Sequence, residues 1–170
     1  MTIRLHRRAV LLSGLVLLTA ITAVVLAQRS SAGPRSTPLA GSFNNVQNFF
    51  PPACTSVTQV CSSFVASGSF QGSGVVDVDT FPDASTGFSK AHTMITTSKG
   101  VLWCDDATIV QPKPTDGQTV RAVVDLCMID PASSTGIYAG ATGYVQEVGT
   151  VDFATGVGSL NYYGRIVYGG

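Results

Sequence analysis

TGIYAGATGYVQEVGTVDFATGVGSLNYYGRIVY, residues 135–168, decides the fold. It alternates with period two, as strands with two unlike faces must. Leu160, Tyr162, Ile166 and Tyr168 fall on one face with Gly158 and Gly164, while Ser159, Asn161, Tyr163 and Arg165 fall on the other. Before them, Val145, Val151 and Phe153 share a face opposite Gln146, Thr150 and Asp152. Asp152-Phe153-Ala154-Thr155-Gly156 lies between the two runs and reads as a hairpin turn. Gly140 and Gly143 flank Ala141-Thr142, where glycine permits the positive φ or the bulge that bends a strand around a barrel corner.

Upstream the same grammar continues. Residues 64–78 read as a strand broken by Gly68, Gly72 and Gly74, and residues 88–97, 101–110 and 119–129 as further strands. Phe81-Pro82-Asp83, Ser98-Lys99-Gly100 and the loop 112–117 separate them. Roughly six to eight strands at these spacings suit an up-and-down barrel. Charged residues are sparse, Gly, Ser, Thr and Val abound, and no amphipathic helical period stands out. Residues 44–61 carry Pro51, Pro52 and two cysteines and read as an irregular segment tied to the barrel covalently.

The N-terminus follows other rules. Arg4, Arg7 and Arg8 precede a charge-free apolar run over 9–27, the pattern of a secretory signal peptide, with cleavage after Ala27 or Ala32. An uncleaved signal anchor is the alternative, and both send the remainder outward. Residues 28–42, rich in Ser, Gly, Pro and Arg, have no period and read as a linker. The chain thus divides into a signal segment at 1–32, a flexible linker at 33–43 and an all-β barrel domain at 44–170.

From Thr37 onward five basic side chains face ten acidic ones, a formal charge of −5. An acidic domain argues against nucleic acid and against membrane beyond the signal segment. Four cysteines in an exported chain imply two disulfides. Cys54–Cys61 and Cys104–Cys127 are favoured, the second because the loop 112–117 makes its strands neighbours. That symmetric register also sets Asp106 opposite Asp125, an unfavourable facing of like charges. The other arrangement ties Cys54 or Cys61 to Cys104 or Cys127. Without a CxxC, and with export favouring oxidation, no metal site is expected.

Chemistry has few places to sit. After the signal the only histidine is His92, which excludes multi-histidine metal sites. There is no GxSxG elbow, P-loop or dinucleotide fingerprint, and no cofactor is expected. Trp103-Cys104-Asp105-Asp106 places one aspartate inward whichever face is inside. A carboxylate in an apolar lumen has a raised pKa and can donate a proton. Asp105, Asp106, His92 and Arg121 are therefore the candidate catalytic residues, and Trp103, Phe88, Met94 and Tyr162 the side chains expected to touch a ligand.

Tyr138-Ala139-Gly140-Ala141-Thr142-Gly143, then Gly149-Thr150-Val151-Asp152-Phe153, then Tyr163-Gly164-Arg165-Ile166 resemble the C-terminal signature of the allene oxide cyclase and dirigent barrel-like superfamily. The middle of the chain fits in pattern only. The resemblance implies an eight-stranded, lipocalin-sized barrel, of which relatives form dimers and trimers, so homo-oligomerisation is compatible with it. Allene oxide cyclases use a carboxylate and a water in an apolar cavity; the one glutamate here, Glu147, matches no catalytic motif, so no catalytic residue is carried over. Three functions follow as expectations: an exported barrel holding a small hydrophobic molecule without catalysis, a cofactor-free cyclase or isomerase, and a cell-surface module with a filled lumen.

Overall fold

A computed structural model describes residues 35–50, 52–113 and 116–169. The expected signal segment, 1–32, lies outside the described residues. The remainder is all-β: β1 Ser36–Phe49, β2 Cys61–Gly68, β3 Gly72–Val78, β4 Phe88–Thr97, β5 Gly100–Val110, β6 Val120–Ile129, β7 Thr142–Asp152 and β8 Val157–Val167, with a short 3-10 turn at Gly136–Tyr138. Every neighbour pairs antiparallel, and β1 also pairs with β8, closing an eight-stranded barrel.

The first strand corrects two expectations. Residues 36–43, read as linker, and 44–49, read as irregular, form one strand paired with both β2 and β8. The register shifts around Asn44–Val46, where Asn45 takes a left-handed φ of 53°. Asparagine tolerates that conformation better than most residues. A one-residue slip flips the facing of every later side chain. Leu39 and Phe43 are buried before the bulge and Val46 after it. The alternation is thus reset in mid-strand, and the segment gives no clean period of two. The stretch 64–78 is likewise two strands, turned at Ser69–Gln71.

One end of the lumen is solid. Ile95, Leu102, Val145 and Ile166 are fully buried there. Beside them Phe43 stacks on Tyr162 at 4.6 Å between ring centroids and meets Phe64 at 4.4 Å. Two glycines make room: a Cβ on Gly74 would enter the ring of Phe64, and one on Gly41 would enter that of Tyr162. The Tyr162 hydroxyl accepts the Phe70 N–H at 2.8 Å and donates to the Ser67 carbonyl at 2.8 Å, tying β8 to the β2–β3 turn.

Two disulfides pin the fold, Cys54–Cys61 and Cys104–Cys127, the favoured pairing of the sequence. The register between β5 and β6 differs from the symmetric one expected. Cys104 faces Ile129, Asp106 faces Cys127 and Thr108 faces Asp125. The disulfide therefore runs diagonally inside the barrel, and the two-residue offset spares Asp106 and Asp125 direct opposition.

Replacing Tyr162 by Phe keeps the stack but leaves a buried N–H and a carbonyl without their partner. Such orphaned groups cost about 1–3 kcal/mol. The urea midpoint of Tyr162→Phe is expected to fall accordingly; an unchanged midpoint would show that the hydroxyl does not anchor the plug.

Candidate functional site

The other half of the lumen is hollow. A cavity of 370 Å³ lies between the aromatic plug and the mouth, within the range of small-ligand pockets. Val46, Val76, Val123, Val151 and Leu160 wall it, and Phe50, Phe81 and Phe153 stand exposed around its rim.

Three carboxylates line the cavity: Asp106 on β5, Asp125 on β6 and Glu147 on β7. They arrive there by strand alternation. Asp106 keeps phase with Cys104 and Val110, Asp125 with Val123 and Cys127, Glu147 with Val145 and Val151, and all these neighbours are buried. The aspartates and Glu147 are themselves 5–7% exposed. Asp125 and Glu147 are cross-strand partners. Thr93 Oγ1 donates to Asp106 Oδ2 at 2.5 Å, and Thr108 Oγ1 donates to Asp125 Oδ1 at 2.5 Å. Asp106 Oδ1 and Glu147 Oε1 have no hydrogen-bond partner.

Burial governs their protonation. Desolvation, then the charge of Asp125, raises Asp106 well above the ordinary carboxylate value; the Thr93 hydrogen bond opposes the shift. Desolvation does the same to Glu147, reinforced by Asp125 and Asp106. Asp125 is pushed up to about 6, with the Thr108 hydrogen bond restraining it. The lumen therefore holds two carboxyls raised well above the ordinary range beside one raised to about 6, a set able to donate and accept protons or hydrogen bonds.

The residues expected to act together divide among three places. Asp106 is in the lumen. Arg121 stands at the mouth, its guanidinium 4.2 Å from the centroid of the Phe153 ring. His92 and Asp105 lie on the outer wall, where His92 Nε2 is 3.0 Å from Asp79 and Nδ1 2.9 Å from Asp105. His92 is half-exposed, Asp105 more so and Asp79 about a third exposed, and such surface pairs contribute little to stability.

The expected ligand contacts divide as well. Phe88, Met94 and Trp103 alternate with the buried Ser89, Thr93, Leu102 and Cys104, so they face away from the cavity. Phe88 is the cross-strand neighbour of Ile109, and Met94 that of Trp103. Both faces of β4 and β5 carry apolar residues, which hides the phase in the sequence. Tyr162 is inward but belongs to the plug. Asp125, on the same face of its strand as Arg121, and Glu147, which matches no motif, are lumen groups outside the candidate set; their phase with Val123, Val145 and Val151 is the signal that finds them.

No family model, curated protein or solved structure matches the chain.

The sign of the pH dependence follows from these shifts. The folded state holds protons on the lumen carboxyls more tightly than the unfolded chain does. Stability is therefore full below the ordinary carboxylate pKa and falls as pH rises through the folded values. Asp125 alone, moved from 3.8 to about 6, corresponds to on the order of 3 kcal/mol. Asp83, Asp130 and Asp152 are shifted downward by hydrogen bonds and act in the opposite sense, at more acidic pH. Urea unfolding at about pH 4.5 and pH 8 should show the protein less stable at the higher value, and Asp125→Asn should flatten the difference. A wild-type stability that rises over this interval would contradict the buried state of the three groups.

Proposed function

We propose that this protein is an exported β-barrel that holds a small hydrophobic molecule in its lumen. The cavity carries the reading: 370 Å³ of space behind a phenylalanine rim, its wall mostly apolar with valine the commonest residue, in a barrel whose other half is packed solid. Apolar surface of this kind favours an apolar guest in proportion to the area removed from water. A module with a wholly filled lumen would have no use for the hollow half. Two disulfides suit an oxidising, extracytoplasmic setting. Among the described residues no helix is long and apolar enough to cross a membrane. The basic and apolar N-terminal segment supplies the export signal in this account. The eight-stranded closed barrel agrees with the allene oxide cyclase and dirigent resemblance of the closing stretch.

A second reading, a cofactor-free cyclase or isomerase, draws on the carboxyls. Asp106 and Glu147, both raised well above the ordinary carboxylate value by burial, face the same space as Asp125, raised to about 6. An acid and a base in one dry cavity are what a proton-moving rearrangement requires.

The discriminating experiment uses the protein purified gently from the extracytoplasmic fraction. Native mass spectrometry is expected to show an added mass lost on denaturation. The emptied protein is expected to take up N-phenyl-1-naphthylamine with enhanced fluorescence, and Val76→Trp, which fills the cavity, to abolish that uptake. A bare mass together with equal fluorescence from Val76→Trp would exclude lumen binding.

A further inference from the structure

We infer that the guest is an amphiphilic organic cation: an apolar body bearing an ammonium or amidinium head, seated among Asp106, Asp125 and Glu147. The inference rests on the lumen-binding reading above and names the chemistry of its occupant.

Three observations point the same way. First, among the described residues the lumen is lined by three carboxylates and by no Lys, Arg or His. Among the described residues the ion pairs are those of His92 on the outer wall. Arg121, the one cation on the inward face of β6, is turned onto Phe153 instead. Second, two carboxylate oxygens, Asp106 Oδ1 and Glu147 Oε1, are buried without a partner in residues 6% and 7% exposed that line the cavity. A buried polar atom left unpaired costs free energy that a fitting donor recovers. Third, the surrounding wall is mostly apolar out to the aromatic rim, which suits the body of such a guest and, at Phe50, Phe81 and Phe153, tolerates a passing cation.

A metal ion fits less well. Among the described residues the cluster whose donor atoms lie within 4.8 Å of one another is Cys104, Asp106 and Cys127, and its two sulfurs are bonded to each other. The three carboxylates do not gather so closely. An amidinium carries N–H donors on two nitrogens, and an ammonium carries several on one, so either can donate to more than one of these oxygens. A carboxylate or phosphate guest would meet like charge. The acidic balance of the chain from Thr37 onward, ten acidic against five basic side chains, steers cations toward it.

The head would meet Thr93 from β4, Asp106 from β5, Thr108 from β5 and Asp125 from β6, and Glu147 from β7, with Tyr162 of β8 as the remaining titratable neighbour. Asp105 and Asp79 act on Asp106 from the outer wall. A cation in their midst favours the ionised carboxylates. Binding therefore releases protons, and affinity falls as pH drops.

Titration calorimetry at pH 7.5 with 2-(1-naphthyl)ethylammonium and its isostere 2-(1-naphthyl)ethanol tests this. The ammonium is expected to bind roughly tenfold or more tighter than the alcohol, with a heat that changes with the ionisation enthalpy of the buffer. In Glu147→Gln and Asp125→Asn the preference should collapse while the affinity for the alcohol stays, which also reports that the lumen is intact. Equal affinities in the wild-type protein would overturn the cation inference and leave lumen binding standing. A preference that survives both substitutions would overturn the assigned seat. No binding of either compound would overturn the lumen-binding reading itself.

Discussion

The Tyr162 hydroxyl ties β8 to the β2–β3 turn across the inside of the barrel, and the ring that carries it divides the lumen in two. On one side the ring continues into Phe43, Phe64 and Phe70 and the space is filled. On the other the side chains shorten to valine, threonine and serine, and the space stays open. An eight-stranded barrel is just wide enough either to pack its interior or to hold one small molecule. This chain does one at each end. The plug lets the fold carry a hollow half, because the buried aromatic area supplies the stabilisation that the cavity forgoes.

Three carboxyls in that hollow half work against stability. Each is taken out of water, two have an oxygen left without a partner, and among the described residues no cation pairs with them. Protonation is the fold's own relief, which is why burial raises all three pKa values. A purely structural interior would replace them with apolar residues of similar size at little loss. Features that break the rules of a good core in one place are where function is to be sought. The cavity beside them gives the feature its object.

Much of this was legible in the chain. The closing strands declare themselves in the alternation of Leu160, Tyr162 and Ile166 with Ser159, Asn161 and Tyr163, and Cys104–Cys127 follows from the loop between two strands. The illegible parts have physical reasons. β1 owes its existence to partners on both sides, β2 and β8, that are remote in sequence, and the bulge at Asn45 erases its period. The inward phase of β4 and β5 could not be chosen locally because Phe88, Met94 and Trp103 make the outer face as apolar as the inner one. The register of β5 against β6 is offset by two residues from the symmetric hairpin, a matter of loop geometry that composition does not carry. Glu147 is readable: its neighbours in phase, Val145 and Val151, mark it as inward, although it belongs to no motif.

The lumen carboxyls are buried, and burial raises the pKa of all three. Carboxyl carbon NMR of the folded protein, with Asp106, Asp125 and Glu147 assigned by substitution, tests it residue by residue. The account predicts that Asp106 and Glu147 titrate well above the ordinary carboxylate range, and that Asp125 titrates near 6. Three carboxyls ionising together at ordinary surface values would contradict it, and would mean a lumen open to water with no electrostatic call on a guest.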